Sequence, residues 1–232
     1  MGTADRQERD RLAKRTRILD AARELFVERG VEAVTLREIA QRIEYSTTAI
    51  YVQFKDKQDL VTQMVQEDFA AFATALTKVA AVADPVDRLS SLGDAYVEFA
   101  LTMPRHYQLL FMTPAKHEHP AETGGGVPGI DGYNLLLRTV IECIETKRFR
   151  AELTDPSGCA QAIWATVHGL VSLLIIMGEA PEFAWRSADE LVEIGLGSLM
   201  RGMLAAAAPE SMIPAATAKP KPKPKSKSTS KR

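Results

Sequence analysis

The sequence predicts an all-α protein with two domains, and three observations carry this prediction. Apolar residues recur at helical spacing along most of the chain. Asp84-Pro85 and Asp155-Pro156 each place an N-cap and a first-turn proline before an apolar run. The 232 residues, 46% apolar and 25% charged, have the composition of a soluble globular protein with a sizeable core. We place the first domain at 1–60, the second at 61–208 and a disordered basic tail at 209–232.

The first helix is predicted from about Arg11 to Arg29, with Gly30 as its C-cap. Its buried stripe consists of Ile18, Ala21, Ala22, Leu25 and Phe26. Residues 1–10 are polar, and two interpretations stay open for them. They form either a frayed, solvated start or a basic arm that carries Arg6, Arg9 and Arg11.

Residues 35–57 read as two short helices joined by a tight turn. Thr35 is an N-cap residue, and Glu38 three positions later completes a capping box. Ser46 caps the second helix, which turns Ala49, Ile50 and Phe54 inward. Its outward residues are Thr47, Thr48, Tyr51 and Gln53. Short hydroxyl and amide side chains on a short helix suit entry into a DNA major groove, where they reach phosphates and base edges.

This segment resembles the TetR family of bacterial transcriptional regulators. The positions that match the family's helix-turn-helix pattern are Thr35, Ile39, Ala40, Ser46, Ile50, Tyr51, Phe54 and Lys57. Glu44 stands where the family usually has a turn glycine, and Tyr45 where it usually has a valine. A residue other than glycine in a left-handed turn costs roughly 1 kcal/mol. The resemblance implies a three-helix DNA-reading unit and a homodimer.

Each predicted DNA contact has a plainer alternative. The backbone N–H of Thr35 suits a phosphate, or Thr35 only caps its helix. Arg37 reaches a base edge or phosphate, or is an ordinary surface arginine. Thr47 and Thr48 are predicted to contact bases, while Tyr51 and Lys57 resemble the family's phosphate-clamping positions. The predicted DNA-contact residues are Thr35, Arg37, Ser46, Thr47, Thr48, Tyr51, Gln53 and Lys57.

The second domain is predicted to consist of helices joined by short connections. These helices span about 57–82, 85–103, 105–112, 132–149, 156–178 and 187–207. The Pro, Gly and His composition of 113–131 indicates a loop. The helix over 156–178 is apolar almost all round, and the one over 187–207 is strongly amphipathic. We predict that this pair forms the homodimer interface as a four-helix bundle; the alternative is that both helices complete a monomer core.

Aromatic residues in this domain resemble the WHG-type C-terminal domain of one branch of the TetR family. Trp164 and His168, four positions apart, share one helix face. His168 either orients a ligand or is a satisfied structural residue. The aromatic residues either line an apolar pocket or are plain core. The predicted ligand-binding residues are Tyr96, Phe99, Tyr107, Phe111, Trp164 and His168.

The charge distribution indicates which segments can bind DNA, and the cysteine content indicates the compartment. Residues 61–218 carry 10 basic against 19 acidic residues, which makes them a poor phosphate-binding surface. The tail 219–232 carries seven basic residues and no acidic ones, so it either adds non-specific DNA affinity or is merely solvated.

Cys143 and Cys159 lack metal-ligand spacing and are expected as reduced thiols of a cytoplasmic protein. No run of apolar residues reaches the length of a membrane span, and no signal peptide is expected.

An enzyme is the rival class, and the sequence disfavours it. His117-Glu118-His119 are adjacent in a loop and have no companion metal ligands in register. Gly124-Gly125-Gly126 follow no strand pattern and lack the lysine of a phosphate-binding loop. We therefore predict no catalytic residues, metal or cofactor. The expected function is a sequence-specific DNA-binding regulator, a repressor released from a palindromic operator by a small, apolar effector. The alternative is a DNA-associated protein without an inducer, acting structurally or through a protein partner.

Overall fold

The computed structural model describes residues 2–113, 128–178, 180 and 182–205. Every regular element of these residues is helical, as the sequence predicts. Most of the predicted loop 113–131, including His117-Glu118-His119 and the three glycines, and the predicted tail 209–232 lie outside the described residues.

Three helices form the N-terminal unit: α1 (Thr3–Arg29), α2 (Leu36–Arg42) and α3 (Thr47–Tyr51). The predicted start of α1 at Arg11 is wrong, because the helix already begins at Thr3. Residues 5–10 of the added turns are exposed, and Glu8 forms an ion pair of 2.7 Å with Arg11 one helical turn later. Gly30, with a φ of 80°, ends α1 as predicted.

The remaining helices are α4 (Lys57–Thr77), α5 (Pro85–Thr102), α6 (Pro104–Phe111), α7 (Pro128–Glu145), α8 (Pro156–Met177), α9 (Ala188–Val192) and α10 (Ser198–Met203). The prediction of α4 to residue 82 is wrong, because the chain tightens after Thr77 into turns in which Ala80 N–H donates to the Thr77 carbonyl. The prediction of α7 over 132–149 is wrong at both ends, because the helix begins at Pro128, inside the predicted loop, and ends at Glu145. Lys147, with a φ of 57°, turns the chain out of the helix.

A π-helical turn over Glu193–Gly197 joins α9 to α10, so that the predicted last helix exists but is not regular. It ends at Met203 rather than at residue 207, because Leu204 is extended and forms a bridge with Phe149. Within the π-turn, Gly195 faces Leu170 of α8 so closely that a Cβ there would lie 3.0 Å from Leu170 Cδ1. The last helix is therefore tied to both α8 and the end of α7.

Two hydrophobic cores organise the chain. The N-terminal core packs α1, α2 and α3 around residues such as Ile18, Phe26, Ile39, Ile50 and Phe54, and it extends into α4 as far as Met64. The C-terminal core packs α4, α5, α7, α8 and the last helix around residues such as Phe72, Tyr96, Tyr107, Val140 and Val167. Helix α4 takes part in both cores. So does the short helix α6, because Leu109 lies in the N-terminal core and Tyr107 in the C-terminal one.

Helix α8 is apolar but only partly covered. By length and composition alone it would suffice to cross a membrane, yet one of its faces packs into the C-terminal core through Ile163, Val167 and Val171. The opposite face leaves Leu173 and Ile176 exposed, and Trp164 lies at the edge of the buried face, 37% exposed. An apolar helix with one open face is typical of an interface between two chains.

Candidate nucleic-acid interface and effector site

The turn between α2 and α3 has the geometry of a helix-turn-helix. Glu44 adopts the left-handed conformation with a φ of 58° at the position where the family resemblance has a glycine. The N–H of Tyr45 donates to the carbonyl of Ala40 at 2.9 Å, and the N–H of Glu44 to that of Gln41 at 3.2 Å. These two bonds satisfy the last carbonyls of α2, as in a Schellman motif. The turn therefore forms without glycine, and the Cβ of Glu44 in the left-handed conformation lowers its stability.

Capping residues hold the first turns of α2 and α3. Thr35 Oγ1 accepts the N–H of Glu38 at 3.3 Å, and the N–H of Thr35 donates to Glu38 Oε2 at 2.8 Å. These bonds from Thr35, together with Arg29, lower the pKa of Glu38 to about 2. Ser46 Oγ accepts the N–H of Ala49 at 3.2 Å. Thr35 and Ser46, both predicted DNA-contact residues, thus position their helices, and the backbone N–H of Thr35 is already bonded.

Helix α3 presents two different faces. Ile50 and Phe54 are buried in the N-terminal core, while Thr48 and Tyr51 are exposed. The most exposed hydrophobic side chain of this segment is Val52, at 76%, which the sequence analysis did not select. The sequence does show that Val52 follows Tyr51 directly and lies off the buried stripe of Ile50 and Phe54, and this position could have identified it as exposed. The exposed face thus offers a hydroxyl, a phenol and an isopropyl group, which suit hydrogen bonds and apolar contacts with base edges.

The other predicted contacts are placed differently. Thr47 and Gln53 are half-buried, and Arg37 is exposed on α2. Lys57, at the start of α4, donates from Nζ to the carbonyl of Glu32 at 3.3 Å. The Lys57 ammonium therefore lies beside the loop between α1 and α2 and keeps further hydrogens for an acceptor.

In the second domain, four predicted ligand-binding residues form one hydrogen-bonded group. Tyr107 Oη lies 2.6 Å from His168 Nδ1, and Tyr96 Oη lies 3.0 Å from the same nitrogen. The two hydroxyls are 3.0 Å apart, and Trp164 Nε1–H donates to Tyr96 Oη at 3.2 Å. We call these four residues the Tyr-His-Trp cluster. It joins α5, α6 and α8 within the C-terminal core.

The protonation of this cluster follows from its contacts. Burial lowers the pKa of His168 and raises the pKa of both tyrosines, so each is neutral near pH 7. With the proton of His168 on Nε2, the single lone pair of Nδ1 accepts from Tyr107, and Tyr96 donates to the Tyr107 oxygen. All the hydroxyl protons are then used. This arrangement satisfies the Nδ1 atom of His168.

Of the remaining two predicted ligand residues, Phe111 packs beside the cluster and Phe99 packs on α4. The ring of Phe111 lies 5.1 Å from that of Tyr107 and 6.4 Å from that of Trp164, measured between centroids. Phe99 instead packs on Phe72 of α4 at 5.1 Å. Phe72, which the sequence analysis missed, also contacts Tyr96 and Phe111 edge-on. Its place on the stripe Met64, Asp68, Phe72, Leu76 of α4 was the available signal.

Two family models match the chain. The model described as bacterial regulatory proteins of the tetR family matches residues 18–64, and the model of the tetracyclin repressor-like C-terminal domain matches residues 89–199. An HTH-type transcriptional regulator of Staphylococcus aureus is 34% identical over 71 residues. That match covers 31% of this chain and 38% of the relative, so this chain spans well under half of the relative's length.

Solved structures share the fold over most of the chain. A TetR family transcriptional regulator, PfmR from Thermus thermophilus, superposes with a TM-score of 0.63 at 18% identity, covering 79% of this chain and 97% of PfmR. The SmeT–triclosan complex superposes with a TM-score of 0.60 at 21% identity, covering 91% of this chain and 100% of SmeT.

The matched residues 18–64 contain the capped α2–turn–α3 unit, and residues 89–199 contain the Tyr-His-Trp cluster. The family and the matching relatives are regulators rather than enzymes, in agreement with the prediction from the sequence. The chain belongs to the tetR family of bacterial regulatory proteins, with an N-terminal helix-turn-helix domain and a tetracyclin repressor-like C-terminal domain.

Proposed function

We propose that this protein is a homodimeric repressor that binds a palindromic DNA operator in the cytoplasm through α3. The observation that carries the proposal is the two-faced geometry of α3. Ile50 and Phe54 anchor it in the N-terminal core, and Thr48, Tyr51 and Val52 project from the protein. Two such helices in a dimer would enter successive major grooves about 34–36 Å apart.

The contacts divide into two kinds. Thr48, near the start of α3, is proposed to read a base edge together with Thr47, and Val52 adds an apolar surface for a thymine methyl group. Tyr51 and Lys57 are proposed to bind phosphates and fix the register of the protein on DNA. Arg37 and Gln53 are proposed as supporting contacts. Thr35 and Ser46 act by holding the helix N-termini, whose positive ends favour phosphate.

Dimerisation is proposed through α8 and the last helix, about 156–178 and 187–207. On α8, Leu173 is 46% and Ile176 is 64% exposed, and Ile194 in the π-turn is 63% exposed. Large aliphatic side chains at these fractions on neighbouring helices form a patch that a second copy would bury.

An effector is proposed to bind at the Tyr-His-Trp cluster and release the operator. Trp164 is 37% exposed although its indole N–H bonds inside the cluster, so one edge of the cluster meets solvent. The SmeT structure is a complex with triclosan, which makes an apolar effector a reasonable class to test. Release follows if the effector binds the two protein conformations with different affinity.

The second candidate is regulation without a small molecule. Tyr107 is fully buried and Tyr96 almost so, and the hydroxyls of both are hydrogen-bonded within the cluster. A cluster closed in this way favours a structural core and a protein partner as the regulator. Trp164 distinguishes the two candidates, since its fluorescence should respond to triclosan only if the cluster admits a ligand. Trp164→Phe, which leaves Trp185 as the other indole, is the control.

The test of the main proposal is a gel shift with DNA from the upstream region of the gene, repeated over a salt series. Retention that survives competitor DNA, with two protomers per site, supports the operator-binding dimer. Weak, unspecific binding that disappears when residues 219–232 are deleted would instead assign the affinity to the tail.

A further inference from the structure

One carboxylate is buried where the two domains meet. Asp68 of α4 is 1% exposed, and Arg23 of α1 is 6% exposed. Arg23 Nη2 donates to Asp68 Oδ1 at 2.7 Å, while Arg23 Nε lies 3.0 Å from Oδ1 and 3.2 Å from Oδ2. Asp68 lies on the stripe of α4 between Met64 of the N-terminal core and Phe72 of the C-terminal core. The pair therefore sits at the boundary between the cores.

Helix α6 completes this contact from the second domain. His106 Nε2 lies 3.8 Å from Asp68 Oδ1. The neighbouring Arg105 donates to Glu24 of α1 at 2.6 Å, and Glu24 also pairs with Arg42 of α2 at 3.1 Å. Charged contacts thus run from α6 through α1 to the first helix of the helix-turn-helix. We call Arg23, Asp68 and His106 the interdomain joint.

The joint is adjacent to the Tyr-His-Trp cluster. His106 precedes Tyr107, whose hydroxyl lies 2.6 Å from His168. Helix α6 has only eight residues, begins at Pro104 and carries His106, Tyr107 and Leu109 within two turns. A displacement of Tyr107 therefore moves His106 and Leu109 as well, and both of these contact the N-terminal half of the molecule.

Stability does not explain why an ion pair lies at this place. Replacing a buried ion pair by apolar residues of similar volume is often neutral or stabilising, whereas removing one partner costs about 3–5 kcal/mol. The bidentate pair supplies a fixed geometry, because a planar guanidinium can donate two hydrogen bonds to a carboxylate in only a few orientations. An apolar contact would permit sliding between α1 and α4.

We propose that the interdomain joint fixes the angle between the DNA-reading unit and the second domain, and that α6 sets this angle through His106. The consequence for DNA rests on the proposed function, since a defined angle places the two α3 helices of a dimer at one spacing. Movement of α6 would then alter operator affinity. Arg23, Asp68 and His106 act as positioning residues and need not touch DNA or effector.

The test measures the angle directly. Ala33→Cys and Glu152→Cys place one exposed thiol in each domain, and the native Cys143 and Cys159 are buried and so protected from the label. Spin labels on these two sites, in protein mixed with excess unlabelled chain, give the distance within one protomer by pulsed electron paramagnetic resonance. The variants are the double change Arg23→Met with Asp68→Leu, and His106→Gln. The matched control is Glu8→Gln, which breaks the exposed pair with Arg11.

We expect the double variant to unfold at the same temperature as the parent or higher, but with a broader distance distribution. His106→Gln keeps the Arg23–Asp68 pair and should shift or broaden the distribution to a smaller degree, which tests the joint even if the double variant does not fold. A fragment selected from random DNA by the parent protein should bind the double variant about 5- to 150-fold more weakly, the range of a typical coupling between sites.

Two outcomes would overturn different claims. Unchanged distance distributions in the folded double variant and in His106→Gln would refute the joint, whatever the protein does with DNA. Failure of the parent protein to select any DNA sequence would refute the proposed function. The distance measurement would then still decide whether the joint fixes the domains.

Discussion

Tyr107 and Leu109 lie two residues apart on α6 and are buried in different cores. Tyr107 is fully buried in the C-terminal core, and Leu109, at 6% exposure, is buried among the residues of the N-terminal unit. A helix of eight residues with side chains in both cores couples the stability of the two domains. Sequence spacing did not show this, because both residues fit one apolar pattern.

Leu109→Ala should lower the free energy of unfolding by about 2–5 kcal/mol, the range for a leucine removed from a packed core. Chemical denaturation followed by circular dichroism measures this change. Leu101→Ala is the control, because Leu101 on α5 is 38% exposed and should contribute much less. Equal effects of the two substitutions would contradict the place of Leu109 in the N-terminal core.

Glu44→Gly should stabilise the protein by up to about 1 kcal/mol, because glycine adopts the left-handed conformation without a steric cost. Glu44→Ala removes the same charge but keeps a Cβ, so it should leave the melting temperature almost unchanged. Thermal unfolding of the three proteins separates backbone strain from charge. A gain with alanine as large as that with glycine would assign the effect to the carboxylate.

The proposed division of DNA contacts predicts different responses to salt and sequence. Lys57→Ala should weaken binding to every DNA sequence and reduce the slope of log K against log salt by about 1. Thr48→Ala should instead relax base preference, reducing the cost of the mismatched base pair by up to about 1–3 kcal/mol. Tyr51→Phe should weaken binding uniformly.

Fluorescence anisotropy with matched and mismatched DNA over a salt series measures both quantities. Lys78→Ala is the control for loss of one positive charge, because Lys78 is exposed just beyond the far end of α4. If the Lys57 and Thr48 variants behaved alike, the proposed division between phosphate contacts and base contacts would be refuted.

Leu173→Glu and Ile176→Glu should each shift the protein from dimer to monomer, because they put a charge into the proposed apolar interface. Sedimentation velocity measures the change. Leu12→Glu places the same charge at a 47% exposed leucine of α1 and should leave the mass unchanged. A dimer that persists in both α8 variants would place the interface elsewhere.

The Tyr-His-Trp cluster predicts a dependence of stability on pH. Burial lowers the pKa of His168 below its ordinary 6.5, so the folded protein binds this proton less readily than the unfolded chain. The stability from neutral His168 is therefore present above pH 6.5 and is lost as the pH falls through the lower pKa of the folded state.

His168→Gln, which cannot take up a proton, should lower the melting temperature at pH 8 and lose less on acidification to pH 5 than the parent. The pKa of His106 is lowered by burial and by Arg23 in both proteins, so the difference between them isolates His168. If the melting temperatures of the two proteins fell by the same amount between pH 8 and pH 5, the proposed protonation of His168 would be contradicted.

The sequence predicted what local chemistry determines. Thr35 with Glu38 and Ser46 with Ala49 are bonds within one helical turn, so the starts of α2 and α3 were predicted to the residue. The Arg23–Asp68 pair joins residues 45 positions apart, and the bond from Tyr96 to His168 spans 72. Such contacts depend on how helices pack. An aspartate on the apolar stripe of α4 was the one local sign of the buried pair.

The π-turn at Glu193–Gly197 holds one residue more than a regular turn of the helix would need. Removing one residue within the turn would restore a regular helix and keep the flanking turns in phase, whereas removing one residue from α10 would rotate everything after it by about 100°. Met200 and Met203 would then leave the core, and Leu204 would lose its bridge with Phe149. Changes of length in related chains should therefore fall in the connection between α8 and α9 or in the π-turn itself, and residues 198–204 should keep a constant count.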